Sequence, residues 1–343
     1  MKKATLYVDL DSILYNYRHL KCYYKKNVIA VLKDDAYGVG LLEVANLLKY
    51  EENLIVAVSS LNDAIKLRNN DFPKEILYLN VFDESDIETI IKNNITVVVE
   101  NLTQLKLLKN TNIKFHLKFN TGMNRLGLNL TDSLKAINEV NKKEEEYNLK
   151  GVLTHFADDD ASHICYDRFK FLVEKLKKDN LVISCFASSS ISEKLDDISN
   201  YLRVGLKLYG IGERNTFLHN SLTLKSPILT IKTINPYDKV GYDYQFECHE
   251  KGYLYILPIG YGQGWGRFDI SIAYNNYRFV KQAGKISMDY STYFSKDIFS
   301  LDDEFELFGN NISLDLICKN NNIDPHEVLT RLKVEKKYNK KTL

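Results

Sequence analysis

Short apolar, β-prone runs recur through the N-terminal two thirds of the chain, separated by segments of helical period. Val28–Leu32, Ile55–Val58, Ile76–Leu79, Thr96–Val99, Lys114–Phe119, Gly151–His155, Val182–Phe186 and Tyr201–Val204 read as eight strands. Continuous apolar runs of this kind mark strands buried on both faces. Leu41–Leu48, Leu61–Arg68, Ile87–Ile91, Leu102–Leu108, Leu134–Val140 and Phe169–Leu176 place apolar residues at i, i+3 and i+4 and read as helices. Start signals precede several helices: Asp11–Ser12 before Ile13, Asp83 before Ile87 and Thr131 before Leu134. Strand and helix in alternation predict a parallel α/β sheet, and eight repeats predict a closed (β/α)8 barrel, with an open doubly wound sheet as the alternative.

The texture changes after Gly210. Ile228–Thr233, Tyr253–Leu257, Ile270–Ala273, Thr292–Phe294 and Glu304–Leu307 are short alternating segments separated by Gly, Asn, Asp and Pro, with little helix between them. They predict a second, mostly β domain. The expected division is an N-terminal strand at 1–10 that packs with the β domain, a barrel at 11–220, the β domain at 221–333 and a polar tail at 334–343. The charge run Lys142–Glu146 reads as a solvated helix end, and the lysine-rich Lys333–Lys341 as a frayed terminus.

Composition narrows the functional classes. The chain has 343 residues, with 46 Lys+Arg against 45 Asp+Glu, so no electrostatic footprint for nucleic acid or an anionic membrane exists. No apolar run is long enough to span a bilayer, and MKKATLYVDLDS lacks the apolar segment of a signal peptide. Cys22, Cys165, Cys185, Cys248 and Cys318 are scattered without a CxxC, which suits reduced thiols better than disulfides or a zinc site. A cytoplasmic, enzyme-sized protein without a metal site is the expectation.

Chemistry gathers where a barrel of this kind carries its reacting groups, at the carboxyl ends of the strands. Lys33 follows the first apolar run and leads into a polar loop with two glycines. A lysine desolvated there can act as a neutral amine and form a Schiff base. Lys118 lies near the end of the fifth strand, His155 ends the sixth, Ser188 and Ser189 follow the seventh, and Arg203 lies in the eighth. Each has a bland reading as a residue hydrogen-bonded in place, but five strands converging on one rim argue for an active site. Ser188, Ser189 and Gly205 offer hydroxyls and an unobstructed amide in the loops that often hold phosphate. A reactive lysine, a ring-sized stacker, a phosphate cup and an arginine facing a ring nitrogen describe a pyridoxal phosphate site.

With those residues in place, the chain resembles the alanine racemase family of pyridoxal-phosphate enzymes. VLKDDAYGVG is similar to the family's cofactor-lysine motif VVKANAYGHG, and HLKFNTGMNRLGL to its KxDTGMxRLG segment. THFADDD, RVGLKLYG, VGYDYQF, IGYGQGWGR and GKISMDY resemble five further family segments in the family's order. The resemblance implies that Lys33 carries pyridoxal 5′-phosphate covalently, that Tyr37 and Ser189 lie at its phosphate with the amides of Gly205 and Leu206, that His155 packs on its ring and that Arg203 faces its ring nitrogen. It also implies that Tyr242 is the second catalytic base, opposite Lys33 on the reacting carbon. Arg125 would contact the substrate carboxylate and lower the phenol pKa, Tyr261 would line the substrate entrance, and Met288 would present its backbone to the carboxylate. Lys118 matches a lysine that is often carbamylated. A head-to-tail homodimer with shared active sites and a small amino-acid substrate follow from the same resemblance, as does D-alanine supply for peptidoglycan.

The chain departs from the pattern at Asp34 and Asp35, at Asn120, at Ser188 and in a C-terminal segment without an assignable phosphate-side tyrosine. A serine or broad-specificity racemase, a decarboxylase of the same fold, a cofactor carrier and a non-catalytic paralogue are the alternatives.

Overall fold

A computed structural model describes residues 2–156, 162–186, 198–212, 217–269, 271–275 and 278–340. The chain divides into two compact units, one of residues 17–36 and 40–208, the other of 1–16, 37–39 and 209–343.

The first unit is a parallel barrel. Counting from β1 (Thr5–Asp9) at the N-terminus, its strands are β2 (Asn27–Val31), β3 (Ile55–Val58), β4 (Glu75–Tyr78), β5 (Thr96–Val99), β6 (Phe115–Lys118), β7 (Leu149–Leu153), β8 (Val182–Ser184) and β9 (Tyr201–Val204). The hydrogen-bonded order is β8-β7-β6-β5-β4-β3-β2-β9. The ring closes between its end strands through Asn200 N to Ile183 O at 3.1 Å and Arg203 N to Phe186 O at 3.2 Å. The Asn200 side chain adds two bonds, donating to Leu181 O and accepting from Ile183 N, each at 2.8 Å. β3 and β5 are buried along their whole length, as continuous apolar strands in a closed parallel sheet must be.

The helices fall where their period predicts, with shifted starts. Asp9 Oδ1 accepts from Asp11 N and Ser12 N, so the first helix, Leu10–Tyr24, is capped two residues before the expected signal. Asn129, not Thr131, caps Leu130–Lys142. In both cases an earlier carboxylate or amide reaches the orphan amides first. Asp83 does cap the turn leading into Ile87–Lys92.

Among its described residues the second unit has a nine-stranded sheet. Its strands are β1 with β10 (Leu222–Pro227), β11 (Thr230–Ile234), β14 (Gly252–Leu257), β15 (Ile272–Asn275), β16 (Arg278–Gln282), β17 (Ser291–Ser295), β18 (Glu304–Phe308) and β19 (Glu335–Asn339), in the order β11-β14-β17-β16-β15-β18-β10-β1-β19. β12 (Lys239–Val240) and β13 (Phe246–Glu247) form a separate hairpin. Tyr255, Tyr293, Phe305, Phe308 and Trp265 fill the core.

Over its described residues the lysine-rich end does not fray. β19 pairs in parallel with β1 from Thr5↔Glu335 to Asp9↔Asn339. Its lysines suit an edge strand, where exposed charge blocks further pairing. Among the described residues no helix is long and apolar enough to cross a membrane.

Candidate active site

Lys33 stands two residues beyond the end of β2 and starts an unusual turn. Asp34, Asp35, Ala36 and Tyr37 are four consecutive residues in left-handed conformation, with φ of 53°, 55°, 56° and 59°. Each L-residue there costs about 1–2 kcal/mol, Asp less than Ala or Tyr because its short polar chain bonds locally. Asp35 does so: its carboxylate accepts from Leu41 N at 2.9 Å, at the start of the helix Leu41–Leu48. That bond, together with the favourable helix dipole, gives Asp35 a local role in holding the turn. A run this costly persists only where the surroundings over-determine it, which is a mark of functional sites.

The end of β6 carries Lys118, and the chain then folds back on itself. Leu128 N donates to Lys118 O and Asn120 N to Leu128 O, both at 2.8 Å. Gly127 makes this approach feasible: at φ 114° a Cβ there would sit 3.0 Å from Asn120 N and 3.1 Å from Lys118 O. Asn120 Oδ1 accepts from Gly122 N and Asn124 N, so the amide performs the turn-capping a carboxylate could also perform. The loop ends up presenting Arg125, which is exposed.

Arg203, on β9, is buried. Its guanidinium donates to Ser184 O at 2.6 Å, Ser184 Oγ at 2.9 Å, Thr154 O and Cys185 O, all at the ends of β7 and β8. Burial pulls its pKa down to about 10, so it remains a cation at neutral pH. Its Nη2 lies 3.4 Å from His155 Nδ1. An imidazole nitrogen facing a guanidinium N–H must accept, which leaves the His155 proton on Nε2.

His155 reports the electrostatics of the rim. Its pKa falls to about 4, first by desolvation and then through the charges of Arg203, Arg125, Lys118 and Lys33. Four of the residues singled out in the sequence thus act on a fifth, and all four are cations. Lys118 is itself lowered by burial and by Arg125 and Arg203, while the Glu100 carboxylate opposes the shift. Glu100 follows β5 directly, and its Oε1 accepts from Lys118 Nζ at 2.8 Å.

The sequence reading overlooked Glu100, although the signal was the one used for Lys33: a charged residue immediately after an apolar strand. Thr154 and Ser184, which hold Arg203 from neighbouring strand ends, escape because each lies inside a segment that reads as strand. Gly205 and Leu206 are buried where β9 passes into the turn Leu206–Tyr209, and Gly205 O accepts from Leu208 N at 2.9 Å. Ser188 and Ser189 lie outside the described residues.

The other candidates belong to the second unit. Tyr37 is buried, its ring 5.2 Å from His326 and 6.3 Å from Tyr209. Tyr261 and Met288 are brought together, since Tyr261 N donates to Ser287 O at 3.1 Å and Gly262 N to Met288 O at 2.8 Å. Tyr242 opens a short turn held by an ion pair between Asp243 and Lys285, and it is 64 % exposed.

These residues fit pyridoxal 5′-phosphate. A rim that acts on His155 with four positive charges suits a ligand bearing a phosphate and a substrate bearing a carboxylate. A guanidinium that stays protonated can donate to a ring nitrogen but cannot protonate it.

Comparison with known proteins agrees with both units. The alanine racemase N-terminal domain family matches residues 8–213, and the alanine racemase C-terminal domain family residues 221–339. The alanine racemase of Streptococcus equi subsp. equi is 32% identical over 308 residues, covering 83% of this chain and 82% of that protein. Among solved structures, the alanine racemase of Clostridium difficile 630 superposes with a TM-score of 0.87 at 27% identity, covering 98% of this chain and 96% of that one. The Bartonella henselae alanine racemase with covalently bound pyridoxal phosphate gives a TM-score of 0.86 at 25% identity, covering 98% and 100%.

Proposed function

The chain belongs to the alanine racemase family of pyridoxal 5′-phosphate-dependent isomerases, and from that premise we propose that it interconverts L-alanine and D-alanine with Lys33 and Tyr242 as its two bases. The observation that carries the reading is the placement of Lys33, Lys118, His155 and Arg203 at the carboxyl ends of four barrel strands, with Arg203 held against His155.

Lys33 would hold the cofactor covalently, with His155 against its ring, Arg203 at its ring nitrogen, and Tyr37, Ser189, Gly205 and Leu206 at its phosphate. When bound, the cofactor takes up the electron pair released as the α-C–H bond breaks. Inversion then needs one proton carrier on each face of the α-carbon. The Lys33 amine would remove the proton from one enantiomer and return it in the opposite direction, and the Tyr242 phenol would do the same on the other face. A phenol with an ordinary pKa near 10 is a weak base at neutral pH, so it needs a cation beside it, and Arg125 is the candidate. Arg125 and the Met288 backbone would hold the substrate carboxylate, with Tyr261 at the entrance. Neutral His155 adds no proton of its own at working pH.

Tyr242, Tyr261 and Met288 are 64%, 40% and 56% exposed, an unusual outlay of large apolar surface for one small region. Their exposure supports a homodimer in which Tyr242 completes the barrel site of a second copy.

Incubation of the cofactor-loaded protein with L-alanine in D2O should yield D-alanine with deuterium at the α-carbon. Tyr242→Phe should lower the rate by about 10²–10⁴-fold and suppress solvent exchange from one enantiomer more than from the other. Equal losses in both directions would overturn the two-sided assignment. Mixing inactive Lys33→Ala with inactive Tyr242→Phe should restore activity if the bases come from different copies, and no recovery would place them in one.

A further inference from the structure

We propose that Glu100 is a positioning residue of the racemase site: its carboxylate keeps Lys118 as an ammonium ion, closes that nitrogen to carbon dioxide, and supplies from within the protein the negative charge that a carbamate on Lys118 would otherwise provide. The inference rests on the racemase reading above and deepens it.

The placement follows from the sheet. Val99 of β5 pairs with Leu117 of β6, so Glu100 and Lys118 are the next residues along two adjacent strands at the same rim. Lys118 Nζ lies 2.8 Å from Glu100 Oε1, with the side chains 12% and 3% exposed. The Glu100 backbone is fixed as well. Its N–H donates to Gln104 Oε1 at 2.8 Å, and the Gln104 amide donates to Phe82 O at 2.9 Å. Gln104 sits in the first turn of Leu102–Leu107, which Asn101 caps, so the carboxylate is aimed by a helix start and not by a free loop.

Carbamate formation needs an ammonium that first loses a proton. The amine lone pair then attacks the carbon of CO2, a C–N bond forms, one C=O π pair moves to oxygen, and a second proton leaves the nitrogen for solvent base, as the first did. The product is an anion. Beside Glu100 this would turn a close attraction between buried opposite charges into a close repulsion between like ones. The same carboxylate opposes the first proton loss, against the desolvation that favours it.

Glu100 is poorly explained as a structural ion pair. Among the described residues its Oε2 is buried without a hydrogen-bond partner, and a half-satisfied buried carboxylate is expensive to keep. A site that must balance Lys118, Arg125 and Arg203 gives a reason to keep it.

The test is ¹³C NMR of the wild-type holoenzyme in ¹³C-bicarbonate, with Lys118→Ala as the blank, alongside Glu100→Gln. The wild type should show no Lys118-dependent carbamate resonance. Glu100→Gln should gain one, lose about 10- to 100-fold in kcat with KM nearly unchanged, and recover part of that rate with added bicarbonate. A carbamate on Lys118 in the wild type overturns the proposal, as does wild-type kcat in Glu100→Gln. If Glu100→Gln does not fold, the wild-type spectrum decides alone. A protein that turns over no alanine sinks the racemase reading, while the resonance still decides the state of Lys118.

Discussion

The two ends of the barrel each hold an arginine in a cage of backbone carbonyls, yet the ends differ in what surrounds it. At the amino ends of the strands, Arg68 donates to Asn93 O, Phe72 O, Lys74 O and Asn94 O at 2.6–3.0 Å, stitching the segments before β4 and β5 together. A hollow of about 670 Å³ opens beside it, bordered by Lys74, Glu75, Lys92 and Lys114. At the carboxyl ends, Arg203 is caged as fully, but it lies among Lys33, Lys118 and Arg125 with a neutral histidine against it. A hollow by itself therefore does not identify the site. What does is charge held against its own interest. An ion pair at about 4 Å gains about 4 kcal/mol at an effective dielectric near 20, while burial costs several kcal/mol per ion. Stability alone does not account for holding Lys118 and Arg203, both largely out of water, at one end.

The largest effect should come from the rim. Lys33→Ala removes both the covalent anchor and one base, so racemisation should fall by more than about 10⁴-fold. Intact-mass measurement after borohydride reduction should then show no cofactor on the protein. Unchanged stability in urea would keep the effect at the site. Arg68→Ala should behave in the opposite way, losing about 2–3 kcal/mol of stability as its carbonyl acceptors lose their donors, with kcat at the wild-type level. A drop in kcat beyond the fraction unfolded would end the distinction between a stitched end and a reacting end.

Much of this contrast is legible in the sequence because buried parallel strands announce themselves as unbroken apolar runs. Ile55–Val58, Thr96–Val99 and Tyr201–Val204 coincide with the observed strands. A charged residue right after such a run points to the rim, which is how Lys33 stands out. Glu100 escaped because an acidic residue before Asn101 also looks like a helix start, and Asn101 does cap one. Arg68 gave no signal, since a basic residue in the last turn of a helix is expected for the dipole alone. β19 escaped because charge and lysine suggest solvent, whereas its backbone needs no apolar side chain to pair with β1. The left-handed turn after Lys33 is invisible too. Nothing in Asp-Asp-Ala-Tyr favours four positive φ values, and only the surrounding structure imposes them.

Acid should probe both ends at once. Burial holds His116 near pKa 3 and His155 near 4, against about 6.5 unfolded. Below pH 6.5 the unfolded chain binds protons the native one refuses, so stability should fall as pH drops, by about 1.4 kcal/mol per unit for each histidine until its native pKa is reached. His116 lies inside the barrel, its Nε2 3.9 Å from Glu75 Oε1. His116→Leu should flatten the slope of urea midpoint against pH without lowering kcat. His155→Gln should flatten it comparably and lower kcat, and identical kinetics in the two variants would contradict the assignment of His155 to the rim.

The smallest effect separates the ends most finely. Asp71, near the amino ends, and Asp34, beside Lys33, both sit at positive φ, 55° and 53°. Glycine removes the left-handed penalty of about 1 kcal/mol but loosens the unfolded chain by about 0.5–1 kcal/mol. Asp71→Gly and Asp34→Gly should therefore each shift stability by no more than about 0.5 kcal/mol. Asp71 stands alone in its turn, so its replacement should leave kcat unchanged. Asp34 begins a run of four left-handed residues and directly follows Lys33, and a glycine there should widen the positions that Lys33 samples. A few-fold drop in kcat at constant stability is the expected result for Asp34→Gly. Equal kcat in both variants would mean that the strained turn serves the fold and not the amine.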